Sequence, residues 1–174
     1  MPVPAAARGA PRSRSADRPW SAHRPTLLAT LALAAHLLAT VALGACSRPV
    51  DVALPVYADD PACRALAPLW PGTVSGLPSR AVGVESPAAR AWGDPPVVAI
   101  CGTEPLGPTE HPCLVVDGVD WVVLPASDGV RFATYGRSPA LDVFVPGRYS
   151  PEGALLPAFG PAARALPQNG HRCT

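Results

Sequence analysis

The sequence predicts an α+β domain with a mainly antiparallel sheet of about five to six strands, an N-terminal and a C-terminal helix, and two disulfides. Three observations predict this class. Short apolar runs separated by turn residues indicate strands joined by hairpins. Helix-start signals stand near the beginning and the end of the body. Four cysteines follow Cys46, an even number that suits two disulfide bonds.

The first 45 residues differ from the remainder in charge and hydropathy. They carry five arginines and one aspartate, whereas the rest carries nine arginines and twelve acidic residues. Thr26 to Ala45 has no charged side chain and would extend about 30 Å as a helix, enough to cross a membrane. Residues 1–45 are therefore expected to be a signal peptide or a hydrophobic membrane segment. The mildly acidic body argues against nucleic-acid binding, which needs a clustered basic face.

The apolar run ends in Leu-Gly-Ala before Cys46, which resembles a bacterial lipobox. Such a motif needs small residues for the peptidase and a thiol to receive the diacylglyceryl group. We expect Cys46 to be lipidated and to become the mature amino terminus; the alternative is an uncleaved transmembrane anchor. In both cases the body faces outward from the cell membrane.

Residues 46–58 are interpreted as an extended tether, with an edge strand through Val50, Val52 and Leu54 as the alternative. Residues 59–174 form the predicted exported domain. Asp60 and Pro61 are a helix-start signal, and apolar residues at helical spacing extend the predicted helix to Trp70.

Apolar runs predict the strands of the sheet. The Asp-Gly pair at 117–118 predicts a hairpin, because a type I′ turn needs positive φ at both central residues. The predicted strands lie at 81–84, 97–100, 113–116, 119–124, 130–135 and 141–145. The C-terminal helix is predicted to open at Ser150 to Glu152 with Ser150 as its cap, to run to Leu166, and to be divided by Pro157 and Pro161.

The four remaining cysteines allow three disulfide connectivities. Cys101 and Cys113 close a loop of 11 residues, so a bond between them is favoured and would contribute ~3 kcal/mol. Cys63 would then pair with Cys173. A rival interpretation is a metal site formed by Cys101, His111 and Cys113, with Cys63 as a further ligand. It lacks Cys-x-x-Cys spacing, so we expect neither a metal nor another cofactor.

Two tryptophans and several charged residues are candidates for binding. Asp94, Asp117 and Asp128 each precede proline or glycine, as turn residues do. Asp120 lies within a strand and is expected on its solvent face, paired with Arg131 or Arg137. Trp92 and Trp121 are expected to pack over the disulfide, or else to line a groove for a cell-wall glycan or peptide. The candidate binding surface comprises Trp92, Asp94, Asp120, Trp121 and Arg137.

Several motifs together resemble the domain of unknown function 3515 family. They are the lipobox, Pro-Ala-Cys63, Ala-Trp-Gly-Asp-Pro at 91–95, Cys101-Gly102, Val-Asp-Gly-Val-Asp-Trp at 116–121, and Gly136-Arg137 before the run 143–146. The resemblance covers about Val56 to Leu166. It implies a small exported or lipid-anchored protein of Gram-positive bacteria with GC-rich genomes, and it brings no catalytic residues. Pro157 and Pro161 depart from the smoother final helix of similar proteins.

The sequence predicts a membrane-anchored protein with a non-enzymatic binding or assembly role in the cell envelope. It contains no nucleophile elbow, phosphate-binding loop, dinucleotide fingerprint or metalloprotease motif. The expected partners are the membrane and a cell-envelope protein or glycan. The alternatives are an envelope hydrolase that uses Asp94 and Asp120, or a metal-handling accessory protein.

Overall fold

The computed structural model describes residues 48–174. Predictions that concern residues 1–47, including the apolar run and lipidation of Cys46, lie outside the described residues. The elements in chain order are α1 Pro61–Arg64, a 3-10 turn Ala67–Leu69, β1 Thr73–Val74, β2 Leu77–Arg80, β3 Ala89–Trp92, β4 Val97–Thr103, β5 Cys113–Val116, β6 Val119–Ala126, β7 Gly129–Thr134, β8 Ala140–Val145, 3-10 helices Gly147–Tyr149 and Glu152–Phe159, and α2 Gly160–Ala165. Within this range, no helix is long and apolar enough to span a membrane.

The sheet contains eight strands in the order β1-β2-β3-β4-β8-β7-β6-β5. Every strand pair is antiparallel, which confirms the predicted sheet type. The predicted number of five to six strands is wrong. The short strands β1, β2 and β3 were missed because Gly and Pro punctuate this region, and the strand expected at 81–84 is replaced by β2.

The predicted hairpin between β5 and β6 is confirmed. Val116 pairs with Val119, and the two residues between them have positive φ, 48° at Asp117 and 76° at Gly118. These angles are those of the type I′ turn that matches strand twist.

The N-terminal helix expected to reach Trp70 is not formed as one helix. The Ala62 amide donates to Asp60 Oδ1 at 2.7 Å, so the predicted cap is present, but α1 ends at Arg64. Pro68 explains this end, because a helical proline lacks an amide proton and collides with the carbonyl four residues earlier. A separate 3-10 turn follows.

The C-terminal helical segment is present and divided as predicted. A 3-10 helix runs from Glu152 to Phe159, and α2 begins at Gly160 with Pro161 in its first turn. The predicted cap by Ser150 is wrong, because no side chain caps the start of the 3-10 helix. This segment packs its buried residues, among them Leu156 and Phe159, against one face of the sheet.

That face, called the core face here, contains the main hydrophobic core. Its largest fully buried side chains are Trp92, Trp121 and Phe159. The opposite face, called the second face, has two smaller clusters, one around Val50, Val52 and Ile100 and one around Val122, Leu124 and Ala133.

The two predicted disulfides are present, but the favoured pairing is wrong. Cys63 pairs with Cys101, and Cys113 pairs with Cys173. Three strands separate β4, which ends near Cys101, from β5, which begins at Cys113. Four interstrand steps of ~4.8 Å place these strands about 19 Å apart, whereas bonded cysteines need Cα atoms within about 7 Å. The short separation of Cys101 and Cys113 in the sequence therefore does not bring the two cysteines together in the sheet.

Residues 50–58 lie against the domain and are fixed there by backbone hydrogen bonds. Val50 donates to Ala81 O and accepts from the Gly83 amide, and it forms a parallel bridge with Val82. At the other end, the Tyr57 amide donates to Gly102 O at 3.0 Å. Val50 and Val52 are buried on the second face.

Candidate functional site

Trp92 and Trp121, two members of the predicted binding surface, are fully buried in the core face. The Trp92 indole donates to Pro71 O at 2.9 Å and meets Phe159 edge to face, with ring centroids 5.4 Å apart. Trp121 Nε1 has no hydrogen-bond partner within residues 48–174. Neither indole can line an exposed groove for a glycan or peptide.

Asp120 is buried rather than on a solvent face, and it holds the C-terminal tail. One carboxylate oxygen accepts the Cys173 amide at 3.0 Å, and the other lies 3.2 Å from Arg172 Nη1. The predicted partners were Arg131 and Arg137. The tail, bonded through Cys173 to Cys113, supplies the partner instead, because it lies over the second face beside β6.

Arg137 forms hydrogen bonds with the C-terminal end of α2. Its guanidinium donates to Leu166 O at 2.7 Å and to Arg164 O at 3.3 Å. Burial lowers the pKa of Arg137, as do the nearby Arg172 and Arg164 charges, while Asp120 raises it. This interaction satisfies carbonyl groups at the end of the helix that have no partner within the helix itself, so it is structural.

Asp94 is the exposed acidic member of the predicted surface. Its side chain is 88% exposed and lies 3.3 Å from Arg80 Nη1. Asp94 follows β3, whereas Asp120 lies in β6, and four interstrand steps place these strands about 19 Å apart. Paired carboxylates of glycoside hydrolases lie within about 10 Å, so these two residues do not form such a pair.

A buried carboxylate on the second face forms an ion pair that the sequence did not reveal. Asp142, in the central strand β8, lies 3.3 Å from Arg131 Nη1 on β7. Their side chains are 3% and 35% exposed. Burial raises the pKa of Asp142 to about 6, while Arg131 and the Thr103 hydroxyl act in the opposite direction.

The apolar-polar alternation in β8 was the only sequence signal for Asp142, and it indicated a solvent-facing residue. Asp142 does face away from the core. It lies on the second face, where it pairs in the strand register with Ile100 of β4 and Ala133 of β7. It became buried because the clusters around Ile100 and Ala133 cover this face on both sides. Segments distant in sequence produced the burial.

A groove of about 320 Å³ opens on the second face. It is lined by Asp51, Val52, Ala53, Val98, Ile100 and Phe144. Phe144 is opposite Arg131 in the strand register, so the buried ion pair lies beside the groove. The lining is largely aliphatic and aromatic and brings no pair of reactive groups together.

A second, polar cleft of about 260 Å³ surrounds the disulfide between Cys113 and Cys173. Its lining includes Glu110, His111 and Arg172. His111 was considered as a metal ligand with Cys101 and Cys113, but both cysteines are bonded to other partners and offer no thiolate. Among residues 48–174, no three metal-ligating side chains converge.

A family model described as "Protein of unknown function (DUF3515)" matches residues 26–169 of the chain. Neither a comparison with curated proteins nor one with solved structures found a match.

Proposed function

The chain belongs to the DUF3515 family of proteins of unknown function, and we propose that it is a lipid-anchored exported domain with a binding or assembly role in the cell envelope. The observation that carries the proposal is the complete pairing of the four cysteines beyond Cys46 into two disulfides. Such bonds form and persist in oxidising compartments and are rare in the cytosol.

The anchor is supported by the sequence immediately before the folded domain. Residues 26–45 are apolar, and Cys46 follows small residues. The described part of the chain begins two residues later, at Arg48, which is exposed. Two residues span at most about 7 Å, so lipid on Cys46 would hold the domain next to the membrane surface.

The binding role is supported by the structural use of four charged residues, Asp120, Arg131, Arg137 and Asp142. Asp120 and Arg137 hold the tail and α2, and Asp142 pairs with Arg131. A general acid or base must lie within hydrogen-bond reach of the substrate, whereas these four side chains contact other parts of the fold. A rigid, disulfide-bonded domain with an apolar groove on its second face suits recognition.

The proposal is tested by growing cells that express the full chain with an alkyne fatty acid and measuring its attachment. We expect label on the parent protein and on Ser47→Ala, the matched control, and none on Cys46→Ser. The mature amino-terminal peptide should carry a diacylglyceryl group on Cys46. An unlabelled protein that remains in the membrane would overturn the lipid anchor and indicate a retained spanning segment.

A further inference from the structure

Large exposed apolar side chains are concentrated in one short segment of residues 48–174. The four such residues are Leu54, Val56, Tyr57 and Val115, with exposed fractions of 41%, 80%, 44% and 61%. Three of the four lie within four consecutive positions. Single exposed apolar residues are ordinary, whereas a contiguous group marks an interaction surface. We call Leu54, Val56 and Tyr57 the apolar patch.

The apolar patch is held in place by the fold. On its C-terminal side, Tyr57 donates its amide to Gly102 O, and Ala58 donates to Pro55 O at 3.1 Å in a turn. Ala58 itself is buried against the core. A Cβ atom on Gly102 would collide with the backbone of Tyr57 and Ala58, so the segment lies directly on β4. The side chains of the patch are therefore presented outward by an ordered backbone.

The position of the patch relative to Cys46 indicates what it contacts. Leu54 is eight residues beyond Cys46, a reach of at most about 29 Å. A domain of this size has a radius of gyration of about 14 Å, so the patch can rest on a bilayer to which Cys46 is attached. Val50 and Val52 point into the second face while the intervening Asp51 is exposed, so one side of this segment faces outward.

We propose that the apolar patch is a membrane-contact surface that enters the interface of the bilayer holding the lipid anchor. This inference rests on the proposed lipid anchor and adds a fixed orientation, with the patch toward the membrane. Exposed Asp51 and Asp59 flank the patch. Contact therefore depends on burial of apolar side chains and does not depend on attraction to anionic headgroups.

Photocrosslinking tests this orientation with a matched pair of positions. The full anchored chain, carrying p-benzoylphenylalanine in place of Val56 or of Val115, is placed in vesicles of phosphatidylcholine, or of phosphatidylcholine with phosphatidylglycerol. Val115 is the control because it is an exposed valine on β5, four interstrand steps or about 19 Å from β4. Both positions are exposed, so either substitution should leave the fold intact.

We expect several-fold more lipid adduct at position 56 than at position 115 in both kinds of vesicle. Leu54→Asp in the position-56 variant should lower the adduct yield, because it places a charge in the apolar contact. Equal adducts at the two positions, or protein adducts in place of lipid at position 56, would overturn the inference. Mass spectrometry of Cys46 in the same sample separates the two proposals. Lipid on Cys46 without adducts at position 56 overturns the orientation alone, and Cys46 without lipid overturns both.

Discussion

Replacing Asp142 by asparagine should change how the stability of the domain depends on pH. Burial raises the pKa of Asp142 from 3.8 to about 6. A carboxyl group whose pKa is raised on folding binds its proton more tightly in the folded state. The contribution of Asp142 to the stability of the parent protein therefore falls as the pH rises from about 4 to about 6, and the full cost is present above that range. Asparagine does not titrate and avoids this cost.

The magnitude follows from the shift. Each unit of pKa corresponds to about 1.4 kcal/mol, so the rise to about 6 is worth about 2–3 kcal/mol. The Asp142 side chain is only 3% exposed, so screening by solvent reduces this little. The attraction of Arg131 acts only while Asp142 is charged, and it is already contained in the net rise of the pKa of Asp142, so the loss of the ion pair in Asp142→Asn needs no separate allowance.

The assay is urea unfolding followed by tryptophan fluorescence at about pH 4 and about pH 7. The unfolding free energy of Asp142→Asn minus that of the parent should increase by about 2–3 kcal/mol between these conditions. Asp94→Asn is the matched control for removing one negative charge, because its side chain is 88% exposed. A difference between Asp142→Asn and the parent that is the same at both pH values would show that folding does not raise the pKa of Asp142.

Three further predictions concern the connections within the domain. Dithiothreitol should reduce the bond between exposed Cys113 and partly exposed Cys173 before the bond between fully buried Cys63 and Cys101. Alkylation of the folded protein after brief reduction should therefore label Cys113 and Cys173 alone. Simultaneous labelling of all four cysteines would contradict this order. Replacing Cys113 and Cys173 together by alanine should lower the unfolding free energy by about 4 kcal/mol, which is the chain-entropy value for a separation of 60 residues. A decrease of less than about 1 kcal/mol would contradict this prediction. Gly102→Ala should lower the unfolding free energy by at least about 2 kcal/mol in the same urea assay, because the φ of Gly102 is +107° and an added Cβ would collide with backbone atoms. An unchanged urea midpoint would show that residues 57–58 are not held against Gly102.

Features encoded by neighbouring residues could be predicted from the sequence. The turn at Asp117 and Gly118 needs positive φ, and only a few residue types adopt it readily. The Asp60 cap and the division of the last helix near Pro161 likewise depend on one or two side chains and their own backbone. Each of these signals is complete within a few residues of sequence.

Features that depend on strand order could not be predicted in the same way. Cys101 and Cys113 are close in sequence, but β8, β7 and β6 lie between their strands. Asp120 and Asp142 follow an alternation that normally indicates a solvent face. The C-terminal tail covers Asp120, and the two clusters of the second face enclose Asp142. Alternation identifies which face a residue is on, whereas the segments that cover that face are set by the tertiary fold.

The candidate binding surface illustrates the same limit. Proximity in sequence groups Trp92 with Asp94 and Trp121 with Asp120, yet both indoles lie in the core face. The apolar patch at Leu54, Val56 and Tyr57 became evident only when the exposure of each residue was known.

The most direct test of an oxidised, exported domain is to map its cysteines in intact cells. Free thiols are blocked with an alkylating reagent during lysis, and the digested protein is analysed without reduction. We expect one peptide pair linked through Cys63 and Cys101 and another linked through Cys113 and Cys173, with none of these four cysteines alkylated. Four alkylated cysteines would contradict it, because they would place the domain in a reducing compartment.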